Sequence, residues 1–335
     1  SSDLSIGLGI FSFIFARTFL QLMGTPNEFI DLATTYIRVY FLGIPAMLLY
    51  NFGSAILRAI GDTKRPLYFL IISGFINVVL NILFVRFLHL GITGTALGTI
   101  LSECISATLV LLCLIRHDGC VRLEFSKLHI HKDKLLRILK IGLPAGLQGS
   151  IFAISNVLIQ SSVNSFGHIA VAGNSATMNL EGFVYTSMNA FSQAALSFSG
   201  QNMGARKYKR ILKVLFICLF CVIIVGNTMC FLGMHFGSNL LSLYTDDSIA
   251  ITYGLNRMNV IFLTYFLCGI MEVFVGCIRG LGASLTPMIV SLLGACGFRI
   301  LWIFTIFQWN NSLEMLYISY PISWGLTAFV HLICF

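Results

Sequence analysis

The sequence carries very little charge. Charged residues make up 10% of the 335 positions, against about 25% in a typical soluble domain. Because 57% of the residues are hydrophobic, so few charged side chains cannot cover a water-facing surface. Most of the surface must therefore face lipid, which excludes an ordinary soluble domain.

The sequence also lacks the clusters of residues that hold metals or carry out catalysis. Its ten cysteines are scattered, and the CxxC pair Cys218 and Cys221 lies inside an apolar run with no second pair, which indicates helix packing. The seven histidines are dispersed, and no Ser-His-Asp set or phosphate-binding loop is found. We therefore expect no enzyme activity, no metal site and no cofactor.

Long apolar runs dominate the chain instead. A bilayer core needs about 20 apolar residues per helix, and on that measure the sequence predicts an all-α polytopic membrane protein with ten spans. These lie near residues 4–23, 36–57, 66–88, 91–115, 138–162, 168–198, 211–243, 249–277, 286–307 and 315–335. The outermost runs reach the termini, and no signal peptide or soluble leader is found, so we expect a fragment of a larger protein.

The net charge of +8 comes from short basic clusters between the apolar runs. The connections after the second, fourth, sixth and eighth spans are basic and the intervening ones are not, which places the basic connections in the cytoplasm. The pattern predicts a multi-pass membrane protein with the lipid bilayer as its partner, and we expect it in a bacterial plasma (inner) membrane. Nucleic-acid binding is not expected, since clusters of this kind are typical of cytoplasmic loops.

One stretch, residues 179–210, combines the features of a working membrane helix. Glu181, Tyr185 and Asn189 are spaced four residues apart, which places them on one helical stripe at membrane depth. Such a stripe either lines a wet cavity or forms a buried packing network, and the sequence allows both interpretations. The helix is predicted to end in a glycine-rich turn at 200–205, followed by a basic patch.

Further polar residues fall inside the predicted spans. Glu272 and Arg299 both lie at membrane depth, and pairing would lower the cost of burying either. Asn77 and Asn81 lie on one helical face and would either link two helices or bind a ligand. Glu103 is either functional or paired with a neighbour.

The chain contains an internal repeat. Residues 57–66 (LRAIGDTKRP) match residues 278–287 (IRGLGASLTP), 221 positions later, at equivalent basic connections. The identical pairs are Arg58 and Arg279, Gly61 and Gly282, and Pro66 and Pro287. A repeat with the same charge topology in both copies predicts two pseudo-symmetric helix bundles related by an axis along the membrane normal.

The repeat also defines the predicted domains. Residues 1–115 form the remainder of an N-terminal lobe with four spans, and residues 140–335 form a C-terminal lobe with six. Residues 116–139 form a basic cytoplasmic linker, whose amphipathic end is expected to lie on the anionic membrane surface. Two spans of the second lobe have no counterpart in the first, so two N-terminal helices are expected to be missing and the chain to hold helices 3–12 of twelve.

The sequence resembles the multidrug and toxic compound extrusion (MATE) family of secondary transporters. The resemblance rests on Gly142-Leu-Pro144, on the GQNMGA motif at 200–205 and on the two repeated connections, and it covers the whole chain. It implies a V-shaped antiporter with two lobes. Such proteins export small organic cations, amphipathic drugs or toxic metabolites in exchange for H⁺ or Na⁺. We expect a monomer.

The sequence departs from the family at the coupling carboxylates. Many bacterial members carry an aspartate on the first helix, which is absent here, and others carry a glutamate shortly after the Leu-Pro of helix seven, where this chain has Phe152. We take Glu181 and Glu272 as the candidate proton or Na⁺ sites. The candidate partners in substrate or cation binding are Gln148, Asn156, Asn179, Tyr185 and Arg299. The fragment alone is not expected to transport.

Three functions compete at this point. Cation-coupled efflux would use a cavity carboxylate to exchange a proton for a cationic substrate held by aromatic and methionine side chains. A flippase of the same superfamily, for a lipid-linked or polyanionic substrate, would need a cationic cavity, and Arg17, Arg38 and Arg299 are few and dispersed. A membrane enzyme or scaffold has no supporting motif. The sequence therefore favours the antiporter.

Overall fold

A computed structural model describes residues 17–18, 27–117, 121–124 and 131–335. In this part of the chain every regular element is a helix. The α-helices are α1 (Asn27–Leu42), α2 (Ile44–Ala59), α3 (Lys64–Ile82), α4 (Gly91–Ile115), α5 (Lys132–Asn164), α6 (His168–Gly204), α7 (Tyr208–His235), α8 (Gly237–Leu241), α9 (Ser248–Ile261), α10 (Tyr265–Gly280), α11 (Leu285–Ser291), α12 (Phe298–Phe304), α13 (Ile306–Trp309) and α14 (Leu313–Cys334). Leu83–Phe87 and Leu292–Gly297 are π-helical, and Phe262–Thr264 is a 3₁₀ turn.

Seven helical segments are long and apolar enough to cross a membrane, and α1 with α2 forms an eighth if that bent pair is one span. α6 is too polar to be among them, yet its 37 residues are long enough at about 1.5 Å per residue. The described helices thus occupy nine of the ten predicted positions. The first predicted span, 4–23, lies outside the described residues except for Arg17 and Thr18. The protein is a multi-pass helical membrane protein.

The chain divides into two compact units, Ser1–His129 and Ile130–Phe335. The division falls inside the predicted linker, 116–139. α5, however, begins at Lys132 and continues without interruption to Asn164. The amphipathic end of the predicted linker is therefore the first part of the fifth membrane helix and not a separate segment.

α1 and α2 meet at an angle of 42°. Gly43 lies between them, and Pro45 lies in the first turn of α2. Proline has no amide hydrogen to continue the α1 ladder, and its ring clashes with the carbonyl four residues earlier, so the helix bends here. Half-buried Glu103 on α4 faces this bend, near Gly43.

Within the first unit, amide side chains join α3 to α4. Asn77 donates from Nδ2 to the hydroxyl of Ser102 at 3.2 Å, and Asn81 donates to the Oδ1 of Asn77 at 3.1 Å. Ser73 adds a hydrogen bond to the Ser102 carbonyl at 2.6 Å. Asn77 therefore links the two helices by hydrogen bonds, as one of the two interpretations predicts, whereas the hydrogen bond of Asn81 stays within α3.

Both copies of the repeat close their helix in the same way. Gly61 and Gly282 have φ angles of +91° and +92°, a left-handed conformation that glycine adopts with little strain. In each copy two amides reach back to carbonyls of the last helical turn, as in a Schellman motif. The bonds are Gly61 to Arg58 (3.0 Å), Asp62 to Leu57 (3.0 Å), Gly282 to Arg279 (2.9 Å) and Ala283 to Ile278 (3.3 Å).

The predicted glycine-rich turn at 200–205 is mostly helical, which corrects the sequence-based prediction. α6 continues to Gly204, and the chain turns at Arg206, whose φ is +56°. The amides of Arg206 and Lys207 bond back to Met203 and Asn202 at 3.0 and 2.8 Å. These bonds satisfy the last carbonyls of the helix, which offsets the strain of a non-glycine residue with positive φ.

In the second unit, α6 and α10 pack backbone against backbone. A Cβ atom at Gly280 would lie 2.7 Å from the carbonyl oxygen of Leu196, and one at Gly276 would overlap the carbonyl of Ser192. Gly276 and Gly280 form a GxxxG pair, which allows membrane helices to approach closely. This contact fixes the two helices that carry Glu181 and Glu272.

Candidate functional site

The second unit contains an open cavity of about 580 Å³. Its walls come from α5, α6, α9, α10, α12 and α14. Of the seven predicted site residues, six line this cavity: Gln148, Asn156, Glu181, Tyr185, Glu272 and Arg299. Asn179 is not among the lining residues and is exposed elsewhere on α6. The structure thus brings Glu181, Glu272 and Arg299 to one cavity.

The polar stripe of α6 forms one wall. Glu181, Tyr185 and Asn189 all face the cavity, as the four-residue spacing predicts for one side of a helix. On α5, Gln148 and Phe152 face the cavity with the same spacing. The stripe therefore forms a cavity wall, which is one of its two interpretations. Glu181 also takes part in a buried network, which is the other.

Glu181 forms a bidentate ion pair with Arg257 of α9. The guanidinium Nε and Nη2 donate to Oε1 and Oε2 of Glu181 at 2.7 and 2.9 Å. The Arg257 side chain is 2% exposed and that of Glu181 12%, so the pair is almost dry. Arg257 also donates from Nη1 to the Oδ1 of Asn174 at 2.8 Å, and Tyr317 of α14 donates to the same oxygen at 3.3 Å. The network therefore ties α6, α9 and α14 together.

Sequence reasoning missed Arg257. It lies well inside the predicted span 249–277, and an arginine within a membrane span is itself a signal of function or pairing. Glu181 and Arg257 are 76 positions apart, and no local spacing rule connects them. Only the packing of α9 on α6 brings the two charges together.

The other carboxylate, Glu272 of α10, is half-buried on the cavity wall. Arg279 follows it by about two helical turns, so both side chains lie on the same face of α10 and both line the cavity. Arg279 donates from Nη2 to the Oε1 of Gln148 on α5 at 2.7 Å. The sequence places Arg279 only in a cytoplasmic connection, whereas its side chain lines the cavity.

Arg299 of α12 does not form the suggested pair with Glu272. Its Nε donates to the hydroxyl of Ser323 at 2.9 Å. Its guanidinium carbon lies 4.1 Å from the ring centre of Tyr320 and 5.5 Å from that of Trp324, both on α14. These are cation–π contacts, and the Tyr320 ring is shared with Arg257, whose guanidinium carbon lies 5.4 Å from the ring centre.

The cavity charges are unevenly matched. Three arginines and two glutamates line it, and both carboxylate oxygens of Glu181 are occupied by Arg257. A proton or Na⁺ at Glu181 would have to displace a buried guanidinium, which is costly. Glu272 has no such bidentate partner among the described residues, so an ion could bind its carboxylate without displacing a guanidinium.

A multi-pass helical protein with a charged cavity inside one helical unit has the architecture of a membrane transporter. A sequence model of the MatE family matches residues 3–83 and 144–305, well over half of the chain. The chain belongs to the MatE family, whose members are transporters and not enzymes.

Curated relatives agree with this family. The chain is 33% identical over 292 residues to the probable multidrug resistance protein YpnP of Bacillus subtilis strain 168, covering 87% of this chain and 65% of YpnP. It is 27% identical over 335 residues to the probable multidrug resistance protein YoeA of the same organism, covering 97% of this chain and 72% of YoeA. A FAD transporter of Shewanella oneidensis is 24% identical over 286 residues, covering 83% of this chain and 63% of that protein. The chain thus spans less than two thirds of YpnP.

Solved structures show the same fold. A MOP superfamily transporter from Pyrococcus furiosus, described as having a binding pocket of reverse polarity, superposes with a TM-score of 0.92 at 20% identity, covering 99% of this chain and 76% of that one. An outward-facing multidrug resistance MATE family transporter gives a TM-score of 0.90 at 20% identity, covering 100% and 76%. At this identity the likeness concerns the fold alone.

Proposed function

We propose that the chain is part of a secondary antiporter that exports cationic or amphipathic drugs or toxic metabolites in exchange for H⁺ or Na⁺. Family membership and the names of YpnP and YoeA support export of toxic compounds. The cavity supports binding of one small molecule, because about 580 Å³ is in the range of known small-molecule sites. We also propose that the protein is a monomer of the bacterial plasma membrane.

The observation that carries the coupling proposal is the position of Glu272. It lines the cavity, forms no bidentate ion pair with another described residue, and lies about two turns before Arg279 on α10. A proton or Na⁺ on its carboxylate would weaken the attraction to Arg279. Loss of that ion would restore the attraction, so the site has two charge states that substrate binding can bias. Glu181, held by Arg257, is proposed to organise the cavity.

The test is Glu272→Gln in the full-length gene product, produced in a drug-sensitive bacterial host. We expect resistance to fall to the level of the empty host while the amount of protein in the membrane is unchanged, because the amide cannot exchange a proton. Glu314→Gln is the matched control, since Glu314 is exposed at the start of α14 and should keep resistance. Normal resistance in Glu272→Gln would exclude Glu272 as the coupling carboxylate.

A flippase for a lipid-linked or polyanionic substrate is the second candidate. One observation favours it: the cavity holds three arginines, Arg257, Arg279 and Arg299, where the sequence indicates only the last. A polyanion would need several uncompensated cations. Because Glu181 and Glu272 offset two of the three, antiport of single small compounds is the better supported proposal.

A further inference from the structure

Arg299 is a buried cation with no carboxylate partner among the described residues. It is 3% exposed, and its Nε bonds to the neutral hydroxyl of Ser323. Its Nη2 atom, equally buried, makes no hydrogen bond within the part of the chain that is described. Tyr320 and Trp324 stabilise the cation through their ring faces, but they supply no counter-charge.

The neighbouring charges leave this excess in place. Both oxygens of Glu181 bind Arg257, and Glu272 lines the same cavity about two turns before Arg279 on α10. The Nε of Arg279 is also buried and lacks a hydrogen bond among the described residues. Two arginines that line the cavity thus each have a buried guanidinium nitrogen without a hydrogen bond among the described residues. The lining residues also carry one more positive charge than negative.

The unused donors indicate what would complete the site. An unpaired charge at membrane depth is costly to maintain and marks a functional site. A guanidinium presents N–H donors in a planar fork that matches a carboxylate, sulfonate or phosphate group. Tyr320 and Trp324 beside it offer flat apolar surfaces for the body of the same ligand.

We propose that Arg299, assisted by Arg279, forms an anion subsite, so that the transported compounds carry an acidic group on an aromatic or apolar body. This inference rests on the proposed transport function and narrows its substrate class away from simple organic cations. One uncompensated charge fits one acidic group, and the cavity of about 580 Å³ fits a single small molecule.

The first measurement compares two probes with the same ring and opposite charge. The full-length gene product in neutral detergent is titrated calorimetrically with naphthalene-2-sulfonate and with 2-naphthylmethylammonium. We expect the sulfonate to bind at least about tenfold more tightly, since it gains charge-assisted hydrogen bonds to Arg299. Equal affinity, or tighter binding of the ammonium, overturns the proposal.

The second measurement locates the subsite. Arg299→Gln should weaken sulfonate binding by about 10- to 100-fold, and Arg299→Lys by less, because it keeps the charge and loses only the fork. Arg210→Gln removes the same charge from an exposed position and should bind as the unchanged protein does. If Arg299→Gln does not fold, the Arg299→Lys variant and the comparison of the two probes test whether Arg299 forms the anion subsite. Unchanged sulfonate binding in the folded Arg299 variants overturns the proposal.

A third arm separates small anions from lipid head groups and from failure of the transport proposal. Phosphatidylglycerol added to the micelles should not displace the sulfonate, and displacement would assign the subsite to a lipid. Transport driven by H⁺ or Na⁺ in proteoliposomes is measured in parallel. Intact driven transport without sulfonate binding refutes only the subsite, whereas sulfonate binding without driven transport refutes antiport.

Discussion

Arg257 and Arg299, two arginines that line the cavity, differ in how their positive charge is stabilised. Glu181 and Arg257 form a nearly dry ion pair, whereas Arg299 is held by a hydroxyl and two rings. A pair of this kind adds little net stability compared with apolar residues, but loss of one member leaves the other unpaired. The two arginines should therefore respond differently to substitution.

For the ion pair, we expect Arg257→Gln to lower the free energy of unfolding by about 3–5 kcal/mol, since Glu181 would remain as a buried, uncompensated charge. Glu181→Gln combined with Arg257→Gln should cost less than the two single changes added together. Denaturant unfolding of the full-length gene product in micelles measures all three variants. Additivity within about 0.5 kcal/mol would show that the two residues are not coupled.

Residue-level prediction from the sequence reached the acids but not their partners. Glu181, Glu272 and Arg299 could be recognised because ionisable groups at membrane depth are rare. Arg257 satisfies the same criterion. The role of Arg279 could not be foreseen, because a basic residue next to a helix end is usually a topology signal. Which charges meet depends on helix packing, which sequence spacing does not determine.

At the scale of helices, glycines set how closely α6 and α10 approach. Gly276 faces the carbonyl of Ser192, with no room for a methyl group. Gly182, on α6, has no such neighbour within 4 Å. Substitution by alanine at Gly276 therefore tests helix packing, whereas the same substitution at Gly182 tests helix propensity alone.

We expect Gly276→Ala to lower the free energy of unfolding by about 1–3 kcal/mol, the usual cost of overpacking. Gly182→Ala should raise it by about 0.5–1 kcal/mol, because alanine favours a helix over glycine and has open space here. Thermal or denaturant unfolding of both variants checks the pair. Equal effects of the same sign would contradict the close contact between α6 and α10.

Helix positions were the most predictable feature. Runs of about 20 apolar residues identified nine described segments, and the repeat correctly indicated matched helix ends at Gly61 and Gly282. The ends set by tertiary structure were less predictable. α6 extends through most of the predicted turn at 200–205, and the left-handed residue that follows the helix is Arg206. Sequence preference assigns that conformation to glycine.

For the whole molecule, the fold and the MatE family follow from composition, repeat and motifs together. The coupling ion and the substrate do not, because they depend on a few side chains within one cavity. The arrangement of charges in the second unit supports antiport through Glu272, with Glu181 and Arg257 as a fixed pair. The relation between the two repeat copies about a membrane-normal axis, and the count of twelve helices, stay predictions.

The most direct test reconstitutes the full-length gene product into proteoliposomes. Rhodamine 110, which carries a carboxylate and a delocalised cation, is loaded, and its efflux is followed under an imposed H⁺ gradient and then an imposed Na⁺ gradient. We predict that one gradient drives efflux and that Glu272→Gln abolishes the driven component while Glu314→Gln keeps it. Efflux that is independent of both gradients, from folded protein, would contradict the antiport account.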